Sequence, residues 1–322
     1  MRAYNNIQVI GTHNSYHVQP RPALLALISS IDKNTALAME YTHRPLGDQL
    51  AQLGMRQLEL DVFADPNGGL YASPLGDIVV PGGSGVRPEM KAPGLKVLHA
   101  QDIDYDSRCR TFKACLGDIL AWSNANPTHV PLMIQIEAKD DPLQLPPGVQ
   151  LPRAPITPVK FTADQLDTID TEILAVIPRA KILTPDDVRG THATLEEAIL
   201  TDGWPALDAV RGRIFFTLDN TDQKRTDYIA GHASLAGRVL FTSSDPGTPE
   251  AAFVKLNDPT TDYEKIQRLV GRGYIVRTRA DDNTVEARTV NTQRRTLALG
   301  SGAQFVSTDY PEADPFSGKY RV

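Results

Sequence analysis

The chain has 322 residues, of which 41 % are hydrophobic and 22 % charged, with a formal net charge of -6 and an isoelectric point near 5.7. This is the composition of an ordinary soluble globular protein, long enough for one large barrel or two modest domains. The acidic balance excludes nucleic-acid binding through a broad basic surface, and no apolar run is long enough to span a bilayer.

The opening segment, Met1-Arg2-Ala3-Tyr4-Asn5-Asn6, lacks the charged stretch and apolar core of a secretory signal, which fits a cytoplasmic chain or a mature exported one. Val9-Ile10-Gly11-Thr12 then climbs to the end of a buried strand and releases His13-Asn14-Ser15. Pro45 to Gly54 reads as a short helix with Leu46, Leu50 and Leu53 on one face. In Gln57 to Phe63, Leu58, Leu60 and Val62 alternate with Gln57, Glu59 and Asp61, so a strand places both carboxylates on one face. Residues 64–94, rich in glycine and proline, form an excursion expected to make a lip over a site. Leu95 to His99 reads as a third short strand, again ending in a histidine.

Thr111 to Asn126 has helical spacing, with Phe112, Cys115, Ile119 and Trp122 on one side. The two cysteines, Cys109 and Cys115, fit either two reduced thiols or one small bridged loop, and the reading tilts toward the loop. His129 to Lys139 forms the next strand, with Glu137 and Lys139 sharing a face. Residues 141–160, dense in proline, must be loop, and Leu143, Leu145, Val149 and Leu151 are expected to pack on the protein's own rim. Capping-box patterns open helices at Thr162 and Thr194. Strands are predicted over Arg213 to Leu218, Arg238 to Thr242, Tyr274 to Ala280 and Gln304 to Thr308, with helices near Gln223 to Ala230, after Thr261, and from Asn283 to Leu299.

Strands alternating with helices, with no glycine-rich dinucleotide fingerprint after the first, predict an α/β fold of the (β/α)8 TIM-barrel type over residues 1–322. Some irregularity and long loops at the C-terminal face are expected. Such barrels gather their active sites at the C-terminal ends of the strands, where His13-Asn14, Glu59 and Asp61, His99, and Glu137 with Lys139 all fall. Three converging carboxylates need a compensating cation, and Asn14, Glu59, Asp61 and Glu137 make an all-oxygen set suited to calcium or magnesium. The two histidines are left for proton transfer and Lys139 for holding negative charge, a combination suited to metal-assisted attack on a phosphodiester.

In their order, His13-Asn14, Glu59-Leu60-Asp61, His99 and Glu137 resemble the calcium-dependent phosphatidylinositol-specific phospholipases C, specifically the small single-domain bacterial type. The resemblance implies cleavage of the glycerol–phosphate bond of phosphatidylinositol by the inositol 2-hydroxyl, giving diacylglycerol and a cyclic or open inositol phosphate. It implies His13 acting at the attacked phosphate, His99 protonating the leaving diacylglycerol oxygen, and one of Glu59 or Asp61 competing with His13 as base. Asn14, Glu59, Asp61 and Glu137 would hold Ca2+, with Mg2+ less suited. Lys139, Arg277, Arg279 and Tyr310 are the expected substrate contacts. A monomer acting on a phospholipid, with peripheral membrane contact, no nucleic-acid partner and an extracellular location for the mature chain, completes the expectation. One alternative is a glycerophosphodiester phosphodiesterase, which Glu137-Ala138-Lys139 fits, although His13-Asn14-Ser15 replaces the His-Arg-Gly signature of that family. The other is a non-catalytic barrel that binds a phosphorylated ligand.

Overall fold

The computed structural model describes residues 2–322. Its sheet has ten strands: β1 (Val9–Thr12), β2 (Gln57–Phe63), β3 (Lys96–Val97), β4 (Leu132–Ala138), β5 (Ile182–Leu183), β6 (Ile214–Leu218), β7 (Leu240–Thr242), β8 (Phe253–Lys255), β9 (Ile275–Arg279) and β10 (Phe305–Thr308). Eight of these run parallel around a ring in the order β1, β2, β4, β6, β7, β8, β9, β10. Two joints of the ring are thin. β1 meets β2 through one register pair, Gly11 with Gln57, and β7 meets β8 through the single bridge Ser243–Phe253. The result is an irregular TIM-type barrel.

Gly11 is required at the first thin joint. A Cβ there would stand 2.2 Å from the Gln57 side-chain oxygen and 2.6 Å from its carbonyl, so any larger residue would force the two strands apart.

Strand alternation and register sort the barrel interior into layers. Toward the N-terminal end, Met133, Phe215, Phe241 and Phe253 pair across adjacent strands or stack, and Tyr4 and Trp204 close the bottom against Phe215, with Tyr4 also meeting Phe305. One step up, Glu59 pairs in register with Gln135, and Lys255 with Arg277. Above them come Asp61 beside Glu137, then Arg279, with His13 and Asp309 immediately after β1 and β10. Leu58, Leu60 and Val62 point the other way, into the cluster that also holds Phe112, Cys115, Leu116 and Ile119 of the helix Phe112–Ala125. The polar face of Gln57 to Phe63 is therefore the inside of a barrel, not a wet surface, since every residue of that strand is buried.

Several expectations change. Lys96–Val97 pairs antiparallel with the end of β2, so this segment is not a stave of the barrel and His99 leaves from a loop. The strands Ile182–Leu183 and Phe253–Lys255 are too short to show periodicity in the sequence, and the helices Pro22–Ile31 and Lys33–Ala38 were not anticipated. The expected helix from Asn283 to Leu299 is two helices, Val285–Thr289 and Gln293–Gly300, separated where Val290 adopts a left-handed φ of 53°. Thr162 precedes its helix without a side-chain cap, whereas Thr194 does accept from the Glu197 amide. Asp258, not Thr261, caps the helix Pro259–Gly271. Cys109 and Cys115 form a disulfide. Among the described residues no helix is long and apolar enough to cross a membrane.

Candidate active site

The parallel register brings Glu59, Asp61 and Glu137 together, with one carboxylate oxygen from each lying within 4.8 Å of the others. Burial raises all three carboxyl pKa values, Glu59 to about 7 despite the opposing Arg277, because neighbouring carboxylates add to the cost of removing charge from water. The nearest cations, Arg277 at Glu59 and Lys139 at Asp61 and Glu137, oppose this rise without cancelling it. Two acceptors are left over: Asn14 Oδ1 and Asp61 Oδ1 are buried with no hydrogen-bond partner. Asn14 sits in a left-handed conformation, φ 44°, with its amide nitrogen donating to the Tyr41 hydroxyl at 2.9 Å. An all-oxygen donor set with orphaned acceptors fits a hard divalent cation such as calcium.

The two histidines are mounted alike. His13 Nδ1 lies 2.8 Å from Asp309 Oδ1, and its Nε2 faces Glu59 Oε1 at 3.8 Å. His99 Nδ1 lies 2.7 Å from Asp104 Oδ2. In each case the carboxylate accepts from Nδ1 and leaves Nε2 for other work, which fixes the tautomer. Burial pushes both imidazoles below their ordinary pKa; Arg279 and Arg277 deepen the shift at His13, and Lys139 does so at His99. Asp104 also receives His17, whose Nε2 is 2.8 Å from both carboxylate oxygens while its Nδ1 meets the Tyr41 carbonyl at 3.0 Å. His43 supports the other side, donating from Nε2 to the His13 carbonyl at 2.8 Å.

The expected substrate cations are occupied. Lys139 Nζ is 3.1 Å from Asp61 Oδ2 and a quarter exposed, so it stands at the mouth. Arg277 is 1 % exposed, with one arm 2.5 Å from Glu59 Oε2 and another on Asn257; it anchors a carboxylate beneath the mouth. Arg279 bridges Asp309 at 3.3 Å and Asp282 at 3.2 Å. Tyr310 lines a recess of about 450 Å3 with Tyr41, His43 and Asp309, roofed by the pair Arg44–Glu312. His99 and Lys139 line a smaller cavity of about 210 Å3 on the other flank.

Sequence reasoning missed Asp104 and His17, and it did not pair Asp309 with His13, whose imidazole that carboxylate holds. It also missed the chain Gln135, Asp219 and Lys255, in which Gln135 donates to Asp219 at 2.6 Å and Lys255 donates to the same carboxylate at 2.5 Å. Asp309 carried a signal, since it ends the strand beside His13. Asp104 carried none, because it lies in a loop without period.

The family model described as phosphoinositide phospholipase C, Ca2+-dependent, matches residues 3–322. In architecture the chain is similar to a calcium-dependent phosphoinositol-specific phospholipase C from Pseudomonas sp., with a TM-score of 0.58 at 17 % identity, covering 99 % of this chain and 94 % of that one. It is also similar to a Ca2+-dependent phosphatidylinositol-specific phospholipase C from Streptomyces antibioticus, with a TM-score of 0.59 at 19 % identity and coverage of 97 % and 96 %. At these identities the likeness to solved structures speaks to the fold. No curated protein sequence matches the chain significantly. The match over nearly the whole length assigns the chain to the Ca2+-dependent phosphoinositide phospholipase C family of enzymes.

Proposed function

We propose that the protein cleaves the glycerol–phosphate bond of phosphatidylinositol, with the inositol 2-hydroxyl attacking phosphorus to give diacylglycerol and a cyclic inositol phosphate. The observation that carries this reading is the pair of histidines, each held through Nδ1 by a buried aspartate, flanking one cluster of oxygen ligands. Asn14, Glu59, Asp61 and Glu137 would hold the calcium ion, which when bound supplies positive charge to the phosphate and lowers the cost of deprotonating the attacking hydroxyl.

The protein's own groups do the rest. His13 Nε2 takes the 2-hydroxyl proton, and Asp309 stabilises the imidazolium that forms. His99 enters the step as the imidazolium, its Nδ1–H held by Asp104 and its charge favoured by the incoming phosphodiester anion; it gives its Nε2 proton to the glycerol oxygen as the bond to phosphorus breaks, and exchange with solvent then reprotonates His99 and removes the proton from His13. A depressed imidazole pKa keeps His13 unprotonated and ready to accept at neutral pH. Arg277 holds Glu59 so that Oε1 stays turned toward His13. Lys139, poised at the mouth on Asp61, is the cation placed to meet a phosphate.

The decisive test follows phosphatidylinositol by phosphorus NMR in a chelator, then with calcium or magnesium restored. Calcium is expected to recover turnover at least about 100-fold and to yield a cyclic phosphate resonance. Full activity in chelator overturns the metal reading. Glycerol phosphate from glycerophosphodiesters, with no cyclic inositol phosphate from phosphatidylinositol, overturns the substrate and establishes the rival diesterase.

A further inference from the structure

The proline-rich loop of residues 141–160 does not simply fold onto the rim. Leu143, Gln144, Leu145 and Pro146 form one wall of a groove of about 410 Å3, and Ile28 and Ile31 of the helix Pro22–Ile31, with Ile103, form the other. Ile31 remains 39 % exposed, and Leu143 and Leu145 are half-buried, so apolar side chains face one another across open space. The one carboxylate beside the groove, Asp32, is spent within its own turn, accepting from the amides of Asn34 and Thr35 and the Thr35 hydroxyl. Pro142, Pro146 and Pro147 have no N–H to leave unpaired against an apolar occupant. Such a slot takes hydrocarbon.

Its position says which hydrocarbon. Leu143 and Gln144 also line the smaller cavity that contains His99 and Lys139, so the groove lies beside the His99 side of the site and shares a wall with it. This step rests on the function proposed above, in which His99 protonates the glycerol oxygen. What hangs from that oxygen must leave past His99. We infer that the groove between Ile28, Ile31, Ile103, Leu143 and Leu145 binds an acyl chain of the diacylglycerol leaving group, so that the enzyme reads the length of that chain as well as the headgroup.

The experiment compares dibutanoyl and dihexanoyl phosphatidylinositol, both kept below their aggregation concentrations so that no lipid surface is present. For the wild-type enzyme kcat/KM is expected to be about tenfold higher for the dihexanoyl substrate, the gain from burying two more methylenes of one chain. In the double variant Ile31→Ser/Leu145→Ser that ratio should fall below about threefold. General damage to the fold lowers both substrates alike and leaves the ratio intact, which overturns the inference. A ratio that is unchanged on monomers while vesicle turnover falls assigns the apolar residues to the bilayer and also overturns it. If the wild-type enzyme releases no inositol phosphate from either lipid, the functional reading itself fails and the inference falls with it. Cleavage of both with no length dependence sinks the groove alone.

Discussion

His13 and His99 make the same contact with an aspartate, at 2.8 Å and 2.7 Å, but on different scaffolds. His13 and Asp309 follow the register pair Thr12–Thr308 of two neighbouring barrel strands, and the His13 amide donates to the Thr308 carbonyl at 3.1 Å. His99 and Asp104 sit on one tight loop, where Ala100 and Asp104 form an isolated bridge and Asp102 takes a left-handed φ of 71°. That loop is stitched from outside. The Asp102 carboxylate accepts from the Leu75 amide at 2.7 Å, the Ile156 amide at 2.5 Å and Arg153 at 2.9 Å, while the Cys109–Cys115 disulfide closes its far end onto the next helix. Backbone register thus positions one half of the proposed acid–base pair, whereas side-chain anchors position the other.

The largest expected effect tests whether the halves are equivalent in chemistry. His13→Ala and His99→Ala should each lower kcat by about 10³-fold, within the range for loss of a positioned proton-transfer group, with circular dichroism unchanged. Retained turnover in either variant breaks the comparison. On a substrate whose leaving group needs no protonation, such as a nitrophenyl ester of inositol phosphate, only His99→Ala should recover.

The next effect concerns stability on the His13 side. Burial holds the His43 imidazole at a pKa of about 4 in the folded protein, below its ordinary 6.5. The unfolded chain therefore binds more protons between those values, so stability contributed by the neutral ring is present above pH 6.5 and is lost as pH falls toward 4. The loss is on the order of 3 kcal/mol. His43→Gln, whose amide can still donate to the His13 carbonyl, should flatten the slope of unfolding free energy in that window. An unchanged slope removes His43 from the account.

A smaller effect separates the two aspartates. Asp309→Asn and Asp104→Asn should each cost about 10²-fold in kcat by losing the charge that orients and stabilises the imidazolium. Only Asp104→Asn should also lower stability substantially, by about 2 kcal/mol, because His17 is fully buried against that carboxylate. Equal losses of melting temperature in both variants would show that the strands do not protect the His13 half.

Much of the barrel was legible because its signals are local. Leu58, Leu60 and Val62 against Gln57, Glu59 and Asp61 declare a strand with two faces, and the same holds for Leu132 to Ala138. The third strand misled because Leu95 to His99 has strand composition but only two residues pair, and they pair antiparallel to β2. Arg277 and Arg279 alternate along one strand, but their partners, Glu59 and Asp309, come from elements that this alternation cannot name.

The sequence by itself determined the supply of chemistry: two histidines, three carboxylates and an amide released at or near strand ends, since a period of two is written within seven residues of chain. Only the tertiary structure decided the partnerships. His13 meets Asp309 across 296 residues because closing the ring brings the first and last strands side by side, and Glu59 of β2 meets Arg277 of β9 across 218 because both side chains face the barrel interior. Asp104 joins His17 to His99 from a loop with no periodic pattern at all. Electrostatic pairing acts through space, so the partners of these side chains were settled where the barrel folded them together.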